Sequence, residues 1–399
     1  MNRRRFLRYG SGITLSLGAM SGLSLAHGAG AERRFVLLIL RGGMDGLAAV
    51  PPYGDASYRK SRGQLALTES GKKEGVLDLD GMFGLHPAFG NLHTMFRAIQ
   101  MSVVHAVAPP YQGRSHFDGQ DVLEAGYPEP SASATGWLYR ALDVLPHTRE
   151  QPYQNAYALG SSVPLVLRGP QPVGSWAPDR LPDPDTSTMD RLVDLYQEDE
   201  RLGAKLMASI ESDAIAGDMD GRVGNNSLAS VAEAAARFLN NAQGPRIAVL
   251  DSGGWDTHAG QGGAQGQLAN RFRALDRTLS ALQSSLGTNW ENTVVAVVTE
   301  FGRTVAMNGT RGSDHGYAGA AFLLGGAVNG GNVIADWPGL KSSQLHEGRD
   351  LRATIDMRSM FAGILQDHMG VDPNAVDEVV FPGLSTGKAT GALPGLIKT

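Results

Sequence analysis

The sequence predicts an α/β fold: a doubly wound, mostly parallel sheet with helices on both faces and a helical cap or insertion. Short runs rich in Val, Ile, Leu and Ala recur without clean alternation, as strands do when both sheet faces are covered. Between them lie stretches whose apolar residues return every three or four positions, the spacing of one helix face. Strands alternating with such helices build a parallel sheet. Gly-flanked polar clusters also directly follow several of the strand runs, and in an open α/β sheet ligands bind beyond the carboxyl ends of the strands.

In chain order, the first element is not structural. Arg3, Arg4 and Arg5 precede Phe6-Leu7, an uncharged stretch runs from Tyr9 to Ala26, and Ala29-Gly30-Ala31 offers a cleavage site. Charge order, apolar length and small-residue ending together predict a removable twin-arginine leader over residues 1–31. Strands are expected at Arg34–Leu40, Met101–Val107, Arg246–Leu250, Thr293–Val298 and Ala321–Leu324. Helices are expected at Ser227–Asn240, Gln267–Leu286 and Ile355–Gln366; in the second, Leu268, Phe272, Leu275, Leu279 and Leu282 share one face. Pro164, Pro170, Pro172, Pro178, Pro182 and Pro184 make a rigid irregular connection, followed by a charged helical stretch from Asp185 to Asp218. An α/β domain over 32–385, with an insertion at about 165–225 and a loosely held Gly/Ser/Thr-rich tail over 386–399, follows from this order.

Composition narrows the chemistry. The whole chain carries a net charge of −5, and the leader contributes four arginines and no acid, so the mature chain is more acidic still. That excludes a nucleic-acid binder, which needs a basic surface. With no cysteine, disulfides, thiolate nucleophiles and sulfur-ligated zinc are excluded. Any metal must be held by oxygen and nitrogen. Nothing in the mature chain reads as a stable membrane span.

Four clusters carry candidate chemistry. In Arg41–Leu47, the glycines let backbone approach a ligand, and Asp45 either reaches a cation or caps the following helix. In Gly113–Asp118, at the start of a helix running to Glu124, Ser115 is a candidate nucleophile and Arg114 and His116 candidate substrate contacts. A serine with an acid three residues on is also an ordinary capping pattern. Asp256 and His258, two apart in a Gly-opened loop, can converge on one metal. Glu300, at a buried strand end, needs a cation or a partner. Arg303 either supplies that partner or holds an anionic substrate with its planar fork. Asp314 and His315 add another carboxylate–imidazole pair.

As a set these motifs resemble a bacterial family known as domain of unknown function 1501. The matching residues are the leader, Arg41–Leu47, Arg114–Asp118, Gly253–Gln261, Thr299–Thr304, Ser313–Gly316 and the late segment Asp350–Leu365. That family looks related to the alkaline phosphatase and sulfatase superfamily. The resemblance implies that Asp45 matches its first metal Asp, Ser115 its nucleophile, Asp256 and His258 its Asp-plus-His pair, and His315 its final His. Thr299–Gly302 is similar to its Thr-Asp-His-Gly strand end, with Glu300 in place of Asp and Phe301 in place of His. One of two metal positions is then absent, or rebuilt with Asp314.

The function expected from these readings is a periplasmic metal-dependent hydrolase of a phosphate or sulfate ester. A divalent ion (Zn, Ca, Mg or Mn, one or two) would be held by Asp45, Asp256, His258, Glu300, Asp314 and His315. Ser115 and Arg303 would be catalytic, with Arg114 and His116 on a small anionic ester or oxyanion, and the twin-arginine translocase would be the partner in export. The alternative is a non-catalytic periplasmic binding or assembly protein that keeps the fold and a structural metal.

Overall fold

The computed structural model describes residues 32–132, 135–146, 152–178, 186–196, 199–216, 228–386 and 391–398; the expected leader lies outside them. The main sheet has nine strands: β1 (Arg34–Leu40), β2 (Met101–Ala108), β3 (Ala156–Leu159), β4 (Gly174–Trp176), β5 (Ile247–Ser252), β6 (Thr293–Val298), β7 (Gly319–Leu324), β8 (Val333–Ile334) and β9 (Ile355–Asp356). The order across it is β8-β2-β7-β6-β1-β5-β3-β4, with β9 also pairing with β2.

β1 lies near the centre, parallel to β5 on one side and β6 on the other. Its seven residues are all buried, which is why the run reads as continuously apolar. Phe35, Leu37 and Ile39 enter one core, with Trp137 and with Phe361 of α5 (Met357–Gly363). Val36, Leu38 and Leu40 enter the other, with Phe238 of α3 (Leu228–Asn240) and Phe272 of α4 (Gln267–Leu286). The helices expected on both faces are therefore present. The late helical stretch is subdivided: Ile355–Asp356 is a strand, Met357–Gly363 is α-helical, and Ile364–His368 is a π-turn.

β7 runs antiparallel to both β6 and β2. No helix separates it from β6, so the chain returns along the same sheet edge instead of crossing over, and a direct return makes an antiparallel pair. The carboxyl ends of β1, β2, β5 and β6 and the beginning of β7 therefore share one edge, where all four polar clusters emerge.

Two expected boundaries move. Residues 174–176, inside the expected insertion, join the sheet as its edge strand, parallel to β3; the independent helices begin at Thr186–Tyr196 and continue with Glu200–Ala216. The tail is not loose over 391–398. Leu396 is fully buried, Ile397 bridges Val328, and the backbone N–H of Leu393 donates to the Ser359 carbonyl. Two apolar side chains in the last four residues suffice to anchor it.

Candidate metal centre

Each cluster is placed by its strand. After β1, Gly42 adopts φ +121°, and a Cβ there would lie 2.6 Å from the Asp256 amide nitrogen; only glycine lets the β1 and β5 loops approach so closely. The loop after β5 then presents Asp256 and His258, the loop before β7 presents Asp314 and His315, and the first turn of α2 (His116–Ala125) presents His116.

Among the described residues, His116, Asp256 and His315 bring ligand atoms within 4.8 Å of one another. Asp256 is the hub. Its Oδ1 lies 2.9 Å from His258 Nε2 and 3.2 Å from His315 Nε2, and its Oδ2 lies 3.4 Å from His116 Nε2. The site is open to solvent: the Asp256 and His258 side chains are 39% and 44% exposed.

The far side of each imidazole explains its orientation. His116 Nδ1 faces Glu300 Oε1 at 2.8 Å, His258 Nδ1 faces Asp314 Oδ1 at 3.1 Å, and His315 Nδ1 faces the Arg114 carbonyl at 2.7 Å. Carboxylates and carbonyls only accept hydrogen bonds, so a proton on Nδ1 satisfies each of these contacts and frees Nε2 to meet a cation. His258 Nε2 and His315 Nε2 stand 2.9 Å apart, and both reach Asp256 Oδ1. His116 Nε2 is buried and has no hydrogen-bond partner. Burial, with the charges of His116 and Arg303, holds the His315 pKa below its ordinary value against the Arg114 carbonyl and Asp256. For Asp256, burial pulls upward, but the Arg303 hydrogen bond and charge, with His258 and His315, hold the carboxyl below the usual range. Imidazole nitrogens converging on a carboxylate, with His116 Nε2 buried and unpartnered, fit a divalent cation.

The structure redistributes several expected roles. Asp45, expected as a ligand, is fully buried. Its Oδ1 accepts the Ala48 amide as the cap of α1 (Gly46–Ala49), and its Oδ2 takes Arg62 at 2.5 Å and Gln261 Nε2 at 2.6 Å. Glu300 and Asp314, also expected as ligands, stand behind His116 and His258 instead. His116, expected on the substrate, turns its ring towards Asp256.

Arg303, expected as a catalytic fork or as the partner of Glu300, is 1% exposed. It is spent on Asp256 Oδ1 (2.6 Å) and the Ser313 carbonyl (2.6 Å), so it aims the carboxylate and is not presented to a ligand. The Arg114 guanidinium is held by Glu347 (2.5 Å) and Asp350 (3.1 Å); its contribution to the site is its carbonyl. Ser115 is the cap of α2, its Oγ accepting the Asp118 amide at 3.4 Å.

Phe301 explains its own place. A Cβ on Gly43 would meet its ring at 2.6 Å, and a Cβ on Gly119 at 3.1 Å, while the rings of His116 and His315 lie 4.9 Å from it at 33° and 37°. It is the apolar wall that holds two imidazole planes. Arg62 and Gln261 escaped the sequence reading: Arg62 sits in an unremarkable charged stretch, and only its complete burial reveals it. Gln261 Oε1 also takes Thr257 Oγ1 (2.9 Å) and Ser313 Oγ (2.6 Å), which ties the Asp45 region to the Arg303 region.

In structure, the chain is similar to Ps i-CgsB in complex with k-i-k-neocarrahexaose (11% identity, 90% of this chain and 77% of that one, TM-score 0.41). It is also similar to the C-terminal periplasmic domain of EcEptC from Escherichia coli in complex with Zn (10%, 74% and 73%, TM-score 0.37). A third similar structure is the phosphonate monoester hydrolase of Agrobacterium radiobacter (12%, 86% and 75%, TM-score 0.35). No curated protein matches the sequence. A family model described as protein of unknown function matches residues 100–380, and with that span, taking in three of the four polar clusters, the chain belongs to the DUF1501 family.

Proposed function

We propose that the protein is an exported, metal-dependent hydrolase of a phosphate or sulfate ester. The observation that carries this reading is the convergence of the His116, His258 and His315 Nε2 atoms on Asp256, each ring fixed from behind by an acceptor. A divalent cation held there would polarise the ester and neutralise the charge that builds as its bond breaks. Ser115 is the candidate nucleophile, since it immediately precedes His116 and stands at the positive end of α2. Its Oγ would bond to phosphorus or sulfur as the ester oxygen leaves, the serine proton ending on the departing alcohol. Water would then release phosphate or sulfate and restore the hydroxyl.

Export rests on Arg3-Arg4 with Phe6-Leu7. Replacing both arginines by lysine should strand precursor in the cytoplasm, and normal delivery of that variant would refute the route. Among the described residues no helix is long and apolar enough to cross a membrane.

One observation favours the second reading, a non-catalytic periplasmic binding or assembly protein with a structural metal. Both guanidinium groups expected to grip an ester's oxygens are spent on carboxylates of the protein itself. Metal analysis of the purified protein, with an aryl phosphate and aryl sulfate assay before and after chelation, separates the two. The hydrolase reading expects turnover that chelation abolishes and added metal restores. Bound metal without turnover on any ester favours the binding protein.

A further inference from the structure

Glu300 is fully buried like Asp45, but unlike Asp45 it has no arginine or lysine paired with it among the described residues. Its Oε1 accepts from the Gly42 amide (2.8 Å), His116 Nδ1 (2.8 Å) and Gln120 Nε2 (3.2 Å), and its Oε2 lies 3.1 Å from Thr299 Oγ1, whose single proton is nearer the Leu40 carbonyl (2.7 Å). Taking a carboxylate out of water is unfavourable unless opposite charge or strong hydrogen bonds compensate it. The donors around it, Gly42, His116 and Gln120, bring no lysine or arginine charge with them. The one ionisable group it touches is His116, whose other nitrogen faces Asp256 with no partner.

His116 therefore stands between a buried carboxyl group and the place where the His258 and His315 Nε2 atoms meet Asp256. Because Glu300 only accepts, it keeps the ring proton on Nδ1 and the lone pair on Nε2. Phe301 lies against the same ring and holds its plane.

We propose that Glu300 is a positioning residue for the metal, not a ligand: it fixes His116 for coordination and supplies negative charge that a cation beyond the ring neutralises. The proposal rests on the metal reading above and deepens it by naming the metal class. Two imidazole nitrogens and one carboxylate, with the His258 ring beside them, favour a zinc-type cation, whereas magnesium and calcium demand oxygen-rich shells. Loss of such an outer partner typically weakens metal binding roughly 10- to 100-fold.

The test is calorimetric titration of zinc, and separately of calcium, into chelator-treated wild-type protein and E300Q. It is joined by cobalt(II) absorption of both and by ¹⁵N spectra of the histidine rings in the wild type. Glutamine keeps the shape and can keep the bond to His116 while removing the charge. The expected result is zinc binding to the wild type in preference to calcium and a His116 proton on Nδ1. In E300Q, zinc should bind 10- to 100-fold more weakly with an unchanged cobalt spectrum. Zinc affinity within twofold of wild type in E300Q overturns the role of Glu300 and leaves the metal reading standing. A changed cobalt coordination makes Glu300 a ligand and overturns its positioning role. A wild-type His116 proton on Nε2 overturns the proposal even if E300Q fails to fold, and calcium preferred over zinc overturns the metal class. Failure of the wild type to bind any of these ions overturns the metal reading as well.

Discussion

Asp45 and Asp256 begin alike and end differently. Both follow central parallel strands, both lie in loops opened by glycines, and both meet an arginine. Asp45 is sealed, its side chain 1% exposed, with Arg62 and Gln261 on one oxygen and a helix amide on the other. Asp256 keeps 39% of its side chain exposed, with Arg303 on one oxygen and three imidazole nitrogens around it. An acid at a strand end is thus not in itself a ligand. What decides is whether its remaining oxygen contacts are donors, which finish it structurally, or acceptors such as these imidazole nitrogens, which leave room for a cation. Asp45 is satisfied as folded; the Asp256 cluster is not.

The largest effect should come from breaking the satisfied pair. Arg62→Met strips Asp45 of its buried countercharge, and removing one partner of such a pair destabilises by about 3–5 kcal/mol. Denaturant unfolding would read this directly. A loss below about 1 kcal/mol would mean that Asp45 is already neutral or hydrated, and the contrast with Asp256 would collapse.

His258→Ala should do the opposite. His258 is half exposed, and Asn308 and Thr310 hold its backbone carbonyl, not its ring. Stability should move by no more than about 0.5 kcal/mol, while zinc affinity falls by at least the roughly 100-fold seen for losing an outer partner. Unchanged zinc affinity in a calorimetric titration would remove His258 from the site and leave only the group His116, Asp256 and His315.

The smallest effect on metal binding concerns Ser115, which sits between the two cases as cap and candidate nucleophile. Ser115→Ala should lower stability by about 1 kcal/mol through loss of the cap. If the serine reacts, ester turnover should fall by orders of magnitude with metal content intact. Near-normal turnover with only the stability loss would make it a cap and no more.

The sequence carried the strands with little error, because a strand buried on both faces must be apolar throughout, and Arg34–Leu40 and Thr293–Val298 are. It missed Ala156–Leu159 and Gly174–Trp176, which are short and lie at one edge of the sheet, where burial imposes less pattern. It found every loop that builds the site, and within those loops the structure sets Glu300 and Asp314 against the far nitrogens of His116 and His258. A carboxylate behind an imidazole looks the same in sequence as one beside it, so that placement was not legible.

By itself, then, the sequence determined the alternation of elements, the loops at their ends and the absence of sulfur chemistry, since these follow from local pattern and composition. Only the tertiary structure decided which acid is neutralised and which is left open. That depends on where Arg62 and Arg303 arrive, from 17 residues after Asp45 and 47 after Asp256. It also depends on which acceptor stands behind each imidazole: His116 and Glu300 are 184 positions apart, and His315 and the Arg114 carbonyl 201 apart. A tautomer is set by the hydrogen bond on the far nitrogen, and that partner is chosen by the register of the sheet, not by any neighbour along the chain.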